Sequence, residues 1–141
     1  MKVLYPYILP RPFNGYNIPG AIQSNYLKNY SASKNFEFHL PIVEITTSES
    51  FYLLKGFFNK NKTSNIEISV VSLFVFPIYD RNLLLELFSE YTEFKILIHG
   101  VLEGKIFSII ELLDWAENIR SINNHTYTYN DEYLKIIKSK L

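Results

Sequence analysis

The sequence predicts a three-layer α/β protein: a mostly parallel four-stranded sheet, helices on both faces, and a further helix at the C-terminus. Three observations lead there. Ile66 to Pro77 reads Ile-Glu-Ile-Ser-Val-Val-Ser-Leu-Phe-Val-Phe-Pro, the longest β-branched and aromatic run in the chain. Near-continuous apolar character is what a strand buried on both faces requires. Strand-like and helix-like segments alternate four times along the chain, the pattern of parallel strands joined by right-handed crossovers. Finally, 141 residues, 48% hydrophobic and 20% charged, suit one domain that buries its own core without metal or disulfide.

Lys2–Leu9 reads as the first strand, stopped by Pro10 and Pro12. Pro10–Pro19 is a loop with Asn14-Gly15 as its turn signal. A helix over about Gly20–Lys34 places Ile22, Tyr26 and Tyr30 on one stripe, expected to face the core, with Gln23 beside it. Phe36–Ile45 is the second strand, where Pro41 indicates a bulge or an edge position. Thr46 and Glu49 form a capping box for a helix that buries Phe51, Leu54 and Phe58.

The central strand is expected over Ile66–Leu73, because a usual strand is about half the length of the apolar run. Phe74–Pro77 then leaves the sheet as a loop. Asp80 caps a helix over Arg81–Thr92 that buries Leu84, Leu87, Phe88 and Tyr91. Phe94–Val101 is the fourth strand, and Leu102–Phe107 is either a short extra strand or a loop. Ser108 and Glu111 make a second capping box, opening a helix to about Arg120 with Ile109, Leu112, Leu113 and Ala116 inward. Trp115 reads as core or interface. The expected domain is therefore 1–120. Residues 121–141 form a tail in which Asn130 caps a helix over Asp131–Lys140, packed on the domain or on a partner through Tyr133, Ile136 and Ile137. That tail makes a homo-oligomer an expected partner state.

Fourteen Lys and Arg balance fourteen Asp and Glu, so no net field draws the chain to nucleic acid or to an anionic membrane. There is no Cys, which removes thiolate nucleophiles, disulfides and zinc–sulfur sites. No apolar run reaches the length of a membrane span. Pro6 and Pro10 interrupt the N-terminal apolar stretch, which does not read as a signal peptide. The expectation is a cytoplasmic protein with no nucleic-acid or membrane partner. The three His are far apart, without ligand spacing, and no phosphate-cradling glycine motif is present. No metal and no cofactor are expected.

In a parallel α/β sheet, ligands bind beyond the carboxyl ends of the strands. Four segments should converge there: the Pro10–Pro19 loop, Glu44–Ser50, Phe74–Asp80 and His99–Glu103. Arg11 suits a bidentate clamp on phosphate or carboxylate, or a tie to loop carbonyls or an ion pair. Gln23 either hydrogen-bonds a sugar hydroxyl or ties down the Pro10–Pro19 loop. Glu44 is a general base or, as a buried carboxylate needing a partner, pairs with Arg11. Ser72 is a hydroxyl satisfied within a strand or else a nucleophile, with no evident triad around it. His99 is the best-placed general acid/base, or else a satisfied core histidine. His39 and His125 carry no role.

Tyr7-Ile-Leu-Pro-Arg11-Pro-Phe-Asn-Gly-Tyr-Asn-Ile-Pro19, followed by Gln23, resembles the opening of the sporadic carbohydrate cluster proteins. These are small bacterial proteins encoded among genes for surface-polysaccharide biosynthesis. Val43-Glu44 with Phe51-Tyr-Leu-Leu54 resembles their second block, and Ser72-Leu-Phe with Pro77 their third. The likeness spans about residues 5–120. Departures are Pro6 for a glycine and Leu9-Pro10 for a serine pair. The order of elements is also similar to the catalytic domain of serine resolvases, a flavodoxin-like arrangement. Arg11 and Gln23 match that domain's strand-end Arg and helix Gln, but no Ser stands in the nucleophile's place. The resemblance implies a protein of capsule or lipopolysaccharide biosynthesis, with a sugar or nucleotide-sugar ligand held by Arg11, Gln23 and Ser72. Proton transfer would fall to Glu44 or His99. The alternative is a non-catalytic assembly partner of such an enzyme. A DNA-acting protein is the remote third reading.

Overall fold

A computed structural model describes residues 2–46, 50–62 and 64–122. The elements are β1 (Val3–Ile8), α1 (Gly20–Ser33), β2 (Glu37–Phe38), β3 (Ile42–Val43), α2 (Tyr52–Lys60) and β4 (Ile66–Val70). A 3-10 turn (Leu73–Val75), α3 (Arg81–Phe88), a second 3-10 turn (Ser89–Tyr91), β5 (Ile96–Gly100) and β6 (Lys105–Ser108) follow. Helix α4 covers 109–122. The sheet order is β2-β1-β4-β5-β6, with β3 also paired to β1.

The apolar ribbon is the middle strand, as its composition requires. β4 has β1 on one side and β5 on the other, both parallel. The expected second strand is broken at Pro41: β2 pairs with Val3 and Leu4, and β3 resumes on Tyr7 and Ile8. Pro41 thus marks a break on an edge. The four-stranded expectation is corrected at the other edge. Residues 101–104 turn the chain, Gly104 takes a positive φ of 65°, and β6 returns antiparallel to β5. Of the two options for Leu102–Phe107, the strand is the one realised. The central strand, expected to reach Leu73, ends at Val70, and the expected exit from the sheet carries a 3-10 turn over Leu73–Val75, with Val75 and Phe76 buried.

Helices cover both faces unequally. Ile66, Ile68, Val70, Ile96 and Ile98 share one cluster with Leu54 and Phe58 of α2, Leu84, Leu87 and Phe88 of α3, and Ile109, Leu112 and Ala116 of α4. These are the faces that periodicity assigned. Asp80 caps α3, its carboxylate accepting from the Leu83 amide at 3.1 Å. Ser108 and Glu111 form the reciprocal capping box, at 3.0 and 3.2 Å. Trp115 is half-buried, its ring 5.6 Å from Phe74 and 6.0 Å from Phe107.

Two helix expectations are corrected. In α1 two of the three residues of the stripe expected inside face out, Ile22 at 57% and Tyr26 at 45% exposed, while Tyr30 turns in against His99 and Gln23, Leu27 and Ser31 are buried. The period was right and the phase was off by one residue, because Gln23 pins the helix to the strand end. Helix α2 begins at Tyr52, not after Thr46, and its cap residue Phe51 supplies no side-chain bond. Glu49 lies outside the described residues, as do His125, Asn130 and the expected tail helix with Tyr133, Ile136 and Ile137. Among the described residues, no helix is long and apolar enough to cross a membrane.

Gly100 closes β5 against the start of the 3-10 turn. A Cβ there would lie 2.8 Å from Leu73 Cδ2 and 3.0 Å from Glu103 Oε1, with Leu73 Cγ closer still. Gly100→Ala is therefore expected to lower stability by about 1–3 kcal/mol through overpacking. Urea denaturation measures it; an unchanged midpoint would mean that Leu73 yields without cost.

Candidate functional site

The carboxyl ends of β1, β3, β4 and β5 form one rim, and a cavity of about 610 Å³ opens there. Arg11, Phe13, Phe51, Phe74, Tyr79 and Asp80 are among its walls. Three of the four expected segments line it directly. A larger hollow, about 680 Å³, lies at the opposite edge around Lys2, Glu67 and Lys95. The rim cavity is the better candidate, because strand ends, loop backbone and a cation converge on it.

Arg11 follows the end of β1. Its Nη1 donates to the carbonyls of Ile45 at 3.2 Å and Ser50 at 3.1 Å. The guanidinium also lies over the Phe51 ring, 5.1 Å from its centroid, a favourable cation–π arrangement. The side chain thus braces the segment between β3 and α2 and places its charge at the cavity wall.

Glu44 sits directly after β3 and is 2% exposed. Its carboxylate accepts from the amides of Ile45 at 3.2 Å, Leu53 at 2.9 Å and Leu54 at 3.4 Å, and from the Tyr7 hydroxyl at 3.1 Å. It caps α2 from outside the helix, supplying the bonds that the Thr46–Glu49 box was expected to make. A negative charge at a helix N-terminus is favourable. Among the described residues its partners are thus Tyr7 and these amides, in place of the expected Arg11. The two side chains meet through Ile45, one holding its amide and the other its carbonyl.

Gln23, fully buried, ties the loop. Its Nε2 donates to the carbonyls of Leu9 and Ile18, each at 2.8 Å, and its Oε1 accepts from the Leu9 amide at 3.3 Å. Ser72, 5% exposed, donates to Glu103 Oε2 at 2.7 Å and accepts from the Phe74 amide at 3.1 Å. Glu103 also takes the Leu73 amide at 2.6 Å.

His99 is not brought to the rim. It is 1% exposed, with Nδ1 2.8 Å from the Tyr30 hydroxyl and Nε2 2.8 Å from Glu67 Oε1. Tyr30 and Phe36 meet its ring edge-on, at 5.7 and 5.4 Å. The reason is strand parity. Ile96 and Ile98 face the α2–α4 layer, so His99 faces α1. Burial, and then the Glu67 charge, raise the Tyr30 pKa above its ordinary value. The expected common rim of Arg11, Glu44 and His99 is corrected to Arg11 and Glu44, with His99 in the opposite layer.

Glu103 and Tyr79 were not singled out in the sequence. Both fall inside segments expected at the rim, and Glu103 is the acidic residue nearest the end of β5. That proximity was the available signal.

No protein-family model matches the sequence, and no curated protein matches it. Solved structures do match in shape. The N-terminal catalytic domain of TP901-1 integrase is similar over 89% of this chain and 99% of that chain, with a TM-score of 0.60 and 15% identity. A resolvase family site-specific recombinase from Streptococcus pneumoniae is similar over the whole of both chains, with a TM-score of 0.56 and 13% identity. The fold is that of serine resolvase and integrase catalytic domains. At such identity the likeness concerns architecture and carries no activity with it.

Burial first, then the Glu44 charge and its hydrogen bond, hold the Tyr7 pKa well above its ordinary value of 10.0. A raised folded-state pKa contributes fully below the unfolded value and is lost as pH rises beyond it, since only the unfolded chain then releases the proton. From about pH 10 upward, Tyr7 is expected to cost stability at about 1.4 kcal/mol per pH unit. Tyr7→Phe removes that share of the slope. Urea denaturation across this range compares the two, and identical slopes would refute the coupling.

Proposed function

We propose that this is a small bacterial protein of surface-polysaccharide biosynthesis that binds a sugar or an activated sugar in the rim cavity through Arg11. The observation that carries the reading is the cavity itself: about 610 Å³ at the strand ends, with Arg11 among Phe13, Phe51, Phe74 and Tyr79. That size is within the range of small-molecule sites, where apolar and aromatic walls orient a ligand and a few polar groups select it. Phe74 and Tyr79 stack at 5.7 Å with planes inclined by 24°, and Tyr79 is half exposed. Such a surface suits the apolar face of a sugar ring. Arg11 beside it suits a phosphate or carboxylate. The three sequence blocks that resemble the carbohydrate cluster proteins supply the biosynthetic setting.

Glu44 and His99 are both bonded inside the fold, which favours binding over proton transfer by either. Leu9-Pro10 at the end of β1 offers no hydroxyl nucleophile, and the balanced charge favours a small ligand over DNA. The second reading, a non-catalytic assembly partner of a carbohydrate enzyme, is favoured by Ile22 and Tyr26, which α1 leaves to solvent.

Glucose 1-phosphate or UDP-glucose at tens of Kd is expected to stabilise the protein by roughly 2 kcal/mol, read as a rise in melting temperature. Arg11→Ala abolishes the rise while the variant still melts cooperatively. No rise with any sugar phosphate or nucleotide sugar would overturn the reading, and retention of a DNA duplex in a mobility shift would favour the DNA-acting one in its place.

A further inference from the structure

A second cavity, about 370 Å³, adjoins the first and shares Phe13, Asn14 and Phe74 with it. Its other walls include Tyr16, Ser72, Leu102 and Glu103. We infer that this cavity is a hydroxyl-binding subsite, in which Glu103 accepts hydrogen bonds from the sugar ring of a ligand whose phosphate lies beside Arg11. The inference rests on the sugar-binding reading above and adds the ligand class: a glycosyl phosphate, free or as the sugar end of a nucleotide sugar.

Three features support it. The Glu103 carboxylate is held at both oxygens, Oε1 by the Leu73 amide at 2.6 Å and Oε2 by the Ser72 hydroxyl at 2.7 Å. A carboxylate offers about four acceptor positions, so two such bonds fix its plane and leave capacity for two neighbouring hydroxyls. Because Gly100 has no Cβ, this seat is open; a methyl there would meet Oε1 at 3.0 Å. The group is thus pre-organised, which lowers the entropic cost of using it.

The mouth of the cavity is also built. Asn14 and Gly15 take positive φ values of 48° and 79°, those of a type I′ turn. Phe13 and Tyr16 exchange backbone bonds at 2.9 and 2.8 Å across it. Tyr16, 62% exposed, stands at the entrance, and Asn14 borders both cavities.

Charge orients the ligand. A carboxylate repels phosphate and accepts from hydroxyls, whereas an arginine attracts phosphate. The second cavity has Glu103 and no cation among its walls, whereas the first has Arg11 together with Asp80, whose carboxylate is engaged in capping α3; Phe74, shared by both, gives the ring an apolar wall.

Titration calorimetry of the full chain with glucose 1-phosphate, UDP-glucose and inorganic phosphate tests this. The wild type should bind glucose 1-phosphate at least about tenfold more tightly than inorganic phosphate, and Glu103→Gln should remove about tenfold of that affinity, the loss of a charged hydrogen bond. Its affinity for inorganic phosphate should not change. Leu102→Trp, which fills the mouth and leaves both Glu103 ties in place, should act the same way even if Glu103→Gln folds poorly. Arg11→Ala should weaken all three compounds. Preference for either sugar compound supports the inference and names the source. Wild-type affinity for both sugar compounds in a folded Glu103→Gln or in Leu102→Trp overturns it, while the Arg11 result leaves the broader reading standing. No binding by any of the three compounds overturns both.

Discussion

The rim depends on one buried carboxylate. Glu44 lies under α2, out of water, where an ionised group is costly unless its lone pairs are filled. They are filled by three backbone amides and a phenol. The amides of Leu53 and Leu54 belong to the first turn of α2 and would otherwise lack partners. The phenol comes from β1. One side chain therefore joins the end of β3, the start of α2 and the centre of the sheet. Removing it would leave several buried donors unsatisfied at once, each worth about 1–3 kcal/mol.

Across the rim, Glu103 repeats the device with different parts. It takes a hydroxyl from Ser72 and an amide from Leu73, and so ties the end of β5 to the end of β4. Gln23 does the same for β1, holding the amide and carbonyl of Leu9 and the carbonyl of Ile18. Each of these three polar side chains thus joins a strand end at the cavity to a segment distant in the sequence. The loops between these ties carry the aromatic walls. Their positions follow from three hydrogen-bonded clasps more than from local propensity, which holds the cavity walls in one shape.

Much of this architecture was legible in the residues, and what was not follows a rule. The core position of Ile66–Val70, the inner faces of α2, α3 and α4, the Asp80 cap and the Ser108–Glu111 box are all local patterns. Each is readable from spacing alone, and Pro41 announced the break in the edge strand. The phase of α1 was not local. Ile22 and Tyr26 satisfy helical period as well as Leu27 does, and the inward side is the one that carries the bonds from Gln23 to Leu9, 14 residues away, and from Tyr30 to His99. Glu44 as a helix cap and Glu103 as a strand clasp depend on contacts between distant segments. His99 was misplaced for a simpler reason: in a five-residue strand, a shift of one position moves a side chain to the other layer.

The end of β1 shows why a recombinase-like fold need not imply recombination. Leu9 is 2% exposed, and both its amide and its carbonyl are taken by Gln23. Pro10 has no amide to donate. This stretch is sealed by hydrogen bonds and by ring geometry, and it presents neither a nucleophile nor an oxyanion donor to the cavity. The first group able to meet a ligand is Arg11, which binds charge and does not attack. Around it the loops carry the remaining groups at the cavities: Tyr79 and Phe74 offer ring faces and Glu103 offers acceptors. In the proposed reading such a rim takes a ligand with one anionic end and one hydroxylated end, and the scaffold beneath it holds the two ends apart.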